Sequence, residues 1–192
     1  MTKRIAGRYE RATSGGEEVA AFLPCSLPPA DPPLDLAGAL GERLKLAEQA
    51  LRRLELAGGM VPSVDWFIYA FVRKEAVVSS QIEGTQATLM DVLAYEATQQ
   101  ADAVDDVAEI CNYLAALEYA RQQLSDPKGL PLSLRLIREM HARLMRGVRG
   151  ASKLPGKFRV SQNWIGGTRP GNARFVPPPP SHLAECLAAL ER

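Results

Sequence analysis

The stretch that decides the fold is Ser63-Val-Asp-Trp-Phe-Ile-Tyr-Ala-Phe-Val-Arg-Lys-Glu-Ala-Val-Val-Ser-Ser-Gln-Ile-Glu-Gly84. Ser63 follows Pro62 and precedes a polar–apolar run, the arrangement of a helix N-cap. The segment through Val78 is almost wholly apolar and contains no helix breaker, so a long, central, buried helix is expected over about 63–84. Gly84 should end it, because glycine accepts the left-handed backbone that closes a helix.

Upstream, Leu40, Leu44, Ala47, Leu51 and Leu54 recur at steps of three and four, and Gly58-Gly59 stops that helix. Residues 1–35 carry Ser-Gly-Gly at 14–16 and Pro-Pro steps at 28–29 and 32–33. They read as an extended arm lying along a surface. Downstream, Thr85 is placed to cap a short helix over Leu89, Val92 and Leu93. Val104, Val107, Cys111, Leu114 and Leu117 describe a further amphipathic helix. Ser133 caps another, with Ile137, Met140, His141, Leu144 and Met145 on its stripe and Gly147 closing it.

After Gly147 the pattern changes. Phe158, Val160, Trp164, Ile165, Phe175 and Val176 surround Gly166-Gly167 and Pro170-Gly171, which reads as a β-hairpin over about 157–176 with Trp164 in its core. Pro177–Pro180 seal it, and Ser181 is placed to cap a last helix. Its stripe of Leu183, Leu187 and Leu190 is still being set up at Arg192, so the chain reads as a piece of something longer. The expected class is mostly α with one hairpin. The regions are an arm at 1–35, a helical region at 36–128 and a further region at 129–192.

Composition narrows the function. Cys25, Cys111 and Cys186 are odd in number and far apart, and no C-x-x-C pair occurs, so neither a disulfide framework nor a zinc site is suggested. His141 and His182 leave little material for a metal site. No signal peptide and no apolar run of membrane-spanning length is present, which points to a soluble, cytoplasmic protein without membrane contact. The net charge of +1 conceals two halves: nine acids and no base from Glu75 to Glu118, then ten bases and one acid from Ser133 to Val176. The basic half is either a trap for phosphates or an acidic partner, or it packs on the acidic half and neutralises it. A nucleic-acid binder is disfavoured, because no helix-turn-helix or stacking signature accompanies the bases.

Ser79 and Glu83 stand one helical turn apart, so the hydroxyl is placed to hold the carboxylate. An acid in the last turn opposes the helix dipole, and it takes a cationic partner or stands in water. Ser79-x-x-x-Glu83-Gly84 resembles the inhibitory motif [ST]-x-x-x-E-[GN] of Fic-family proteins. Leu154-Pro-Gly-Lys-Phe-Arg-Val-Ser-Gln-Asn-Trp-Ile-Gly-Gly167 is similar to the family's flap region. Leu130-Pro-Leu-Ser-Leu-Arg-Leu-Ile-Arg-Glu-Met-His141 resembles the first helix of its core. The resemblance runs from about Tyr9 to Arg192.

It implies a Fic-like helical bundle with one hairpin, and a protein adenylyltransferase that moves AMP from ATP–Mg²⁺ to hydroxyl side chains of proteins. Glu83 would be the inhibitory glutamate, Ser79 its support and Gly84 the closing residue. Phe158, Arg159, Val160, Gln162, Ile165 and Gly166 would form the flap that docks an extended target segment. The family's catalytic signature, H-P-F-x-[DE]-G-N-G-R-x-x-R, is absent: His141 is followed by Ala-Arg and His182 by Leu-Ala. No catalytic or metal-binding residue is therefore assigned, and no nucleotide is expected to bind this chain tightly. The implied partners are the rest of the Fic core and a protein substrate, with a homodimer left open and nucleic acid only through a region outside these residues. The alternative reading is an antitoxin-like module that inhibits a Fic protein in trans.

Overall fold

The computed structural model describes residues 4–98 and 105–191. It divides into two compact units, 1–48 with 158–192, and 49–157. Val104 and Arg192, which figure in the expectations above, lie outside the described residues.

The helical unit holds α2 (Val64–Ile82), α3 (Leu89–Thr98), α4 (Asp105–Ser125) and α5 (Leu134–Leu144). Ser63 caps α2 as its position predicts, its hydroxyl accepting from Trp66 N–H at 3.2 Å, and Ser133 does the same for α5 through Leu136 N–H. Ser63→Ala should therefore lower unfolding free energy by about 1 kcal/mol, read as a lower urea midpoint. For α3 the cap is Thr88 rather than Thr85. Thr88 Oγ1 accepts from Asp91 N–H, while the Asp91 carboxylate accepts from Thr88 N–H at 2.8 Å, a reciprocal capping box. Thr85 is instead buried, with no hydrogen-bond partner for its hydroxyl among the described residues.

Ala76 and Val77 of α2 pack with Ala87, Val92 of α3, and Val107, Ile110 and Leu114 of α4. Tyr119 of α4 donates to the Glu139 carboxylate of α5, and the Arg143 guanidinium stacks 3.3 Å above the Tyr119 ring. The expectation that α2 is buried throughout needs correction. Only its Ala76–Val77 face is covered, while Trp66, Phe67, Phe71, Val78 and Ile82 are exposed.

The other unit contains a two-stranded antiparallel sheet, β1 (Gly7–Ser14) and β2 (Glu17–Pro24), in register from Gly7 opposite Pro24 to Ser14 opposite Glu17. The regular hairpin thus lies inside the segment read as an extended arm. Its two-residue turn is Gly15-Gly16, both at positive φ, the backbone that matches strand twist. Alternate residues Val19, Ala21 and Leu23 are buried, with Val19 and Ala21 packed on Val176.

Segment 157–176, expected to be the hairpin, is a loop closed by a single bridge between Ile165 and Phe175, with a 3₁₀ turn at Pro170–Asn172. The reason is local. The four prolines that follow have no N–H to extend a ladder, and the carbonyls of the first two are taken by side chains. Gln162 Nε2 donates to Pro177 O at 2.9 Å, and Arg159 donates to Pro178 O. Asn172 Oδ1 accepts from Thr168 and Arg169 N–H, occupying donors that a strand would spend on its neighbour. The Glu17 carboxylate accepts from Arg169 and from Gly171 N–H, and these bonds hold it below the usual carboxylate range.

Helix α6 (Pro180–Glu191) begins two residues earlier than expected, so Ser181 sits in its first turn and Pro180 starts it. Helix α1 (Ala39–Gly58) passes from one unit into the other. Among the described residues no helix is long and apolar enough to cross a membrane.

Candidate functional site

The last turn of α2 carries Ser79, Ser80 and Glu83, and the chain leaves it through a complete Schellman closure. Gly84, at φ 99°, donates its N–H to Gln81 O at 3.1 Å, and Thr85 N–H reaches back to Ser80 O at 3.2 Å. Glu83 N–H donates to Ser80 O at 3.0 Å. The exit is held further by Gln81 Nε2 on Ala87 O, and by Gln86 N–H on the Asp106 carboxylate of α4. The Glu83 backbone is therefore pinned from both sides. Its exposed carboxylate, by contrast, has no hydrogen-bond or ion-pair partner among the described residues. Apart from its chain neighbours, nothing lies within 4 Å of the position a Gly84 side chain would take, so the space beside Gly84 is open to another backbone or side chain.

The expected pairing of Ser79 with Glu83 is not made. Ser79 Oγ donates the other way along the helix, to Glu75 Oε1 at 2.6 Å. Both acids stand one turn from Ser79, and the hydroxyl takes the one on the preceding turn. Ser79 thus leaves Glu83 unsupported and free.

Glu83, Ser79 and Ser80 line one side of a cavity of about 330 Å³, with Glu109, Tyr113 and Arg149 opposite. Arg149 donates to both Glu109 oxygens at 2.7 and 3.0 Å and lies 3.6 Å from Asp106. An arginine of the basic half thus neutralises acids of the acidic half, one of the two expectations from the charge pattern. Long-range packing put Arg149, Glu109 and Tyr113 beside Glu83. The only sequence signal for it was the absence of local counter-charges around Asp106 and Glu109.

A second cluster staples α2 to α3. Arg73 donates to Glu96 through Nη2 at 2.6 Å and Nε at 2.8 Å, Tyr69 donates to the same carboxylate at 3.1 Å, and the guanidinium lies 3.3 Å over the Tyr69 ring. The Arg73 bond holds the Glu96 carboxyl below its ordinary value of 4.5. A lowered carboxylate pKa stabilises the fold above the unfolded-state value, and that contribution disappears as pH falls through the folded-state value. Glu96→Gln should cost about 1–2 kcal/mol at pH 7, and the difference from wild type should vanish in acid; urea midpoints across pH 2–7 check it.

The flap residues lie together in the other unit. Val160 and Ile165 are exposed, as is Gly166 at φ 70°, whereas Phe158, Arg159 and Gln162 are partly buried. Trp164, expected in a hairpin core, is exposed, because a single bridge leaves no second strand to cover it. His141 Nδ1 accepts from Gly156 N–H at 2.8 Å, which places its ring proton on Nε2 and gives it a loop-holding role. Among the described residues no group of three or more His, Cys, Asp or Glu is gathered for a metal ion.

These elements define a mostly helical protein with one antiparallel hairpin and a capped, outward-facing glutamate at the end of its longest apolar helix. Residues 41–122, from α1 through most of α4 and including Glu83, match the family described as Fic/DOC family N-terminal. This match over 41–122 supports a Fic-family N-terminal part in the helical region. No curated protein matches it.

Proposed function

We propose that this chain is the regulatory and target-docking part of a protein adenylyltransferase, with Glu83 as the group that inhibits AMP transfer. The observation that carries this reading is the contrast at Glu83: a backbone fixed by a Schellman closure under a carboxylate with no partner in its own unit. A carboxylate so presented is preorganised for an incoming guanidinium, and such a pair can be bidentate and strong. Burial of an arginine–glutamate pair in a nucleotide site would remove the arginine from phosphate binding, which is inhibition by occupation.

In the complete enzyme ATP–Mg²⁺ supplies the AMP group. Among the described residues no cluster of three or more metal-ligating side chains is gathered, so no metal site is assigned to them. Their part is to control access and to present the target. The exposed side chains of Val160 and Ile165, with Gly166 beside them, suit an extended target segment whose side chains would seat against them. Ile165→Asp should then weaken modification of a protein target several-fold, as a raised KM, with self-modification unchanged. The inhibitory role is tested by labelled AMP incorporation in the complete enzyme, Glu83 against Glu83→Gly.

A further inference from the structure

Strand β1 keeps one backbone edge unpaired. Cys25 N–H donates to Ala6 O at 2.9 Å, and the register from Gly7 opposite Pro24 to Ser14 opposite Glu17 contains no bulge. Opposite residues of an antiparallel pair are hydrogen-bonded at every second position. The bonded positions of β1 are therefore Arg8, Glu10, Ala12 and Ser14, and the backbone of Tyr9, Arg11 and Thr13 points away from β2. On β2 the outward N–H of Phe22 is engaged, donating to Val176 O at 2.8 Å. On β1, among the described residues, no hydrogen bond reaches the backbone of Tyr9, Arg11 or Thr13 from outside the sheet. Such an edge is a template for one more strand unless it is blunted, and Gly7–Ser14 contains no lysine, proline or bulge.

The edge borders a groove within a single compact unit. Glu10 to Gly15 form one wall of a cavity of about 650 Å³, and residues 160–162 and 179–181 form the other. Consecutive strand residues send their side chains to opposite faces, so what Glu10 to Ser14 share toward the groove is the strand's edge. The far wall is pinned by Gln162 and Arg159 on the carbonyls of Pro177 and Pro178, which preforms the groove. Because a wall faces the edge, a single extended segment is favoured over a second copy, whose β1 would have to bring β2 in with it.

Charge selects the segment. Arg11 is exposed and makes no ion pair among the described residues, while the Glu10 carboxylate lies 3.1 Å from His182 Nε2. Ala12, Val160 and Pro179 give the groove apolar surface. A guest strand residue opposite Arg11 shares its outer face, and the residues before and after it turn to the face of Ala12. An acid flanked by apolar residues matches both.

We propose that β1 takes an extended target segment as a third strand, with an acidic residue opposite Arg11 and apolar residues on either side of it. This rests on the target-docking reading of the flap, which contributes Val160 and Gln162 to the far wall, and it assigns the backbone pairing to β1.

The probe is the peptide acetyl-Thr-Val-Glu-Val-Thr-amide, titrated into the millimolar range with the isotope-labelled 192-residue chain and followed by NMR. Amide hydrogen exchange at Tyr9, Arg11 and Thr13 should slow severalfold, while Glu10 and Ala12, already bonded to β2, should change little. A peptide with lysine in place of the glutamate should bind about tenfold more weakly, and Arg11→Glu should reverse that preference. Thr13→Pro removes an outward N–H and leaves the bonds to β2, so it should abolish binding with the circular dichroism unchanged. Absence of binding in the millimolar range overturns the proposal, as does protection that ignores the alternation along β1. If Ile165→Asp raises KM for a protein target while the peptide leaves β1 untouched, the flap reading stands and β1 is excluded from it.

Discussion

Replacing Ile110 by alanine is expected to lower the stability of the helical unit by about 2–5 kcal/mol, enough to shift its urea midpoint strongly. Ile110 is 1 % exposed and stands where α2, α3 and α4 meet, against Ala76, Val77, Val92, Val107 and Leu114. Many of its neighbours are alanine and valine, short side chains that cannot extend into a vacated space. The cost should therefore include most of the cavity term as well as the lost transfer energy. Ile82→Ala is the control. Ile82 is 83 % exposed, and its truncation should change stability by no more than about 0.5 kcal/mol. Equal losses at the two positions would mean that Ile110 is not the centre of the core.

The contrast between these isoleucines shows which information sequence alone carries. Caps and closures are local, and Ser63, Ser133 and Gly84 were legible because each acts on residues within a few positions of itself. The side of α2 that would be covered was not legible, because an almost wholly apolar helix has no polar face to mark the outside. The β1–β2 hairpin was signalled by Gly15-Gly16 and by the alternation of Val19, Ala21 and Leu23, but the proline-rich steps further along dominated the reading of that arm. The opposite happened at 157–176. Its aromatic and β-branched runs resemble strands, yet Arg159 and Gln162 consume the proline carbonyls that a ladder would need.

At the candidate site, the motif spacing identified Ser79, Glu83 and Gly84, and one helix end does bring them together. What spacing could not decide was the direction of the Ser79 hydroxyl, since Glu75 and Glu83 are equally distant along the helix. The choice of Glu75 changes the chemistry expected of Glu83: its carboxylate is held by its backbone position and not by a neighbouring hydroxyl. Ser79→Ala should accordingly leave inhibition nearly intact, whereas loss of the carboxylate should abolish it.

Glu83→Gly is the second large effect. Removing the side chain removes the charge that would engage an arginine in the nucleotide site, while Gly84 and the Schellman bonds, all made by backbone, remain available. The measurement that tests this most directly is the rate of labelled AMP incorporation by the complete enzyme with ATP and Mg²⁺, comparing Glu83 with Glu83→Gly. A rise of about tenfold or more, equivalent to ~1.4 kcal/mol of barrier, is the predicted result. Equal rates in the two proteins would contradict an inhibitory role for Glu83 and leave it an ordinary solvent-facing acid at the end of a helix.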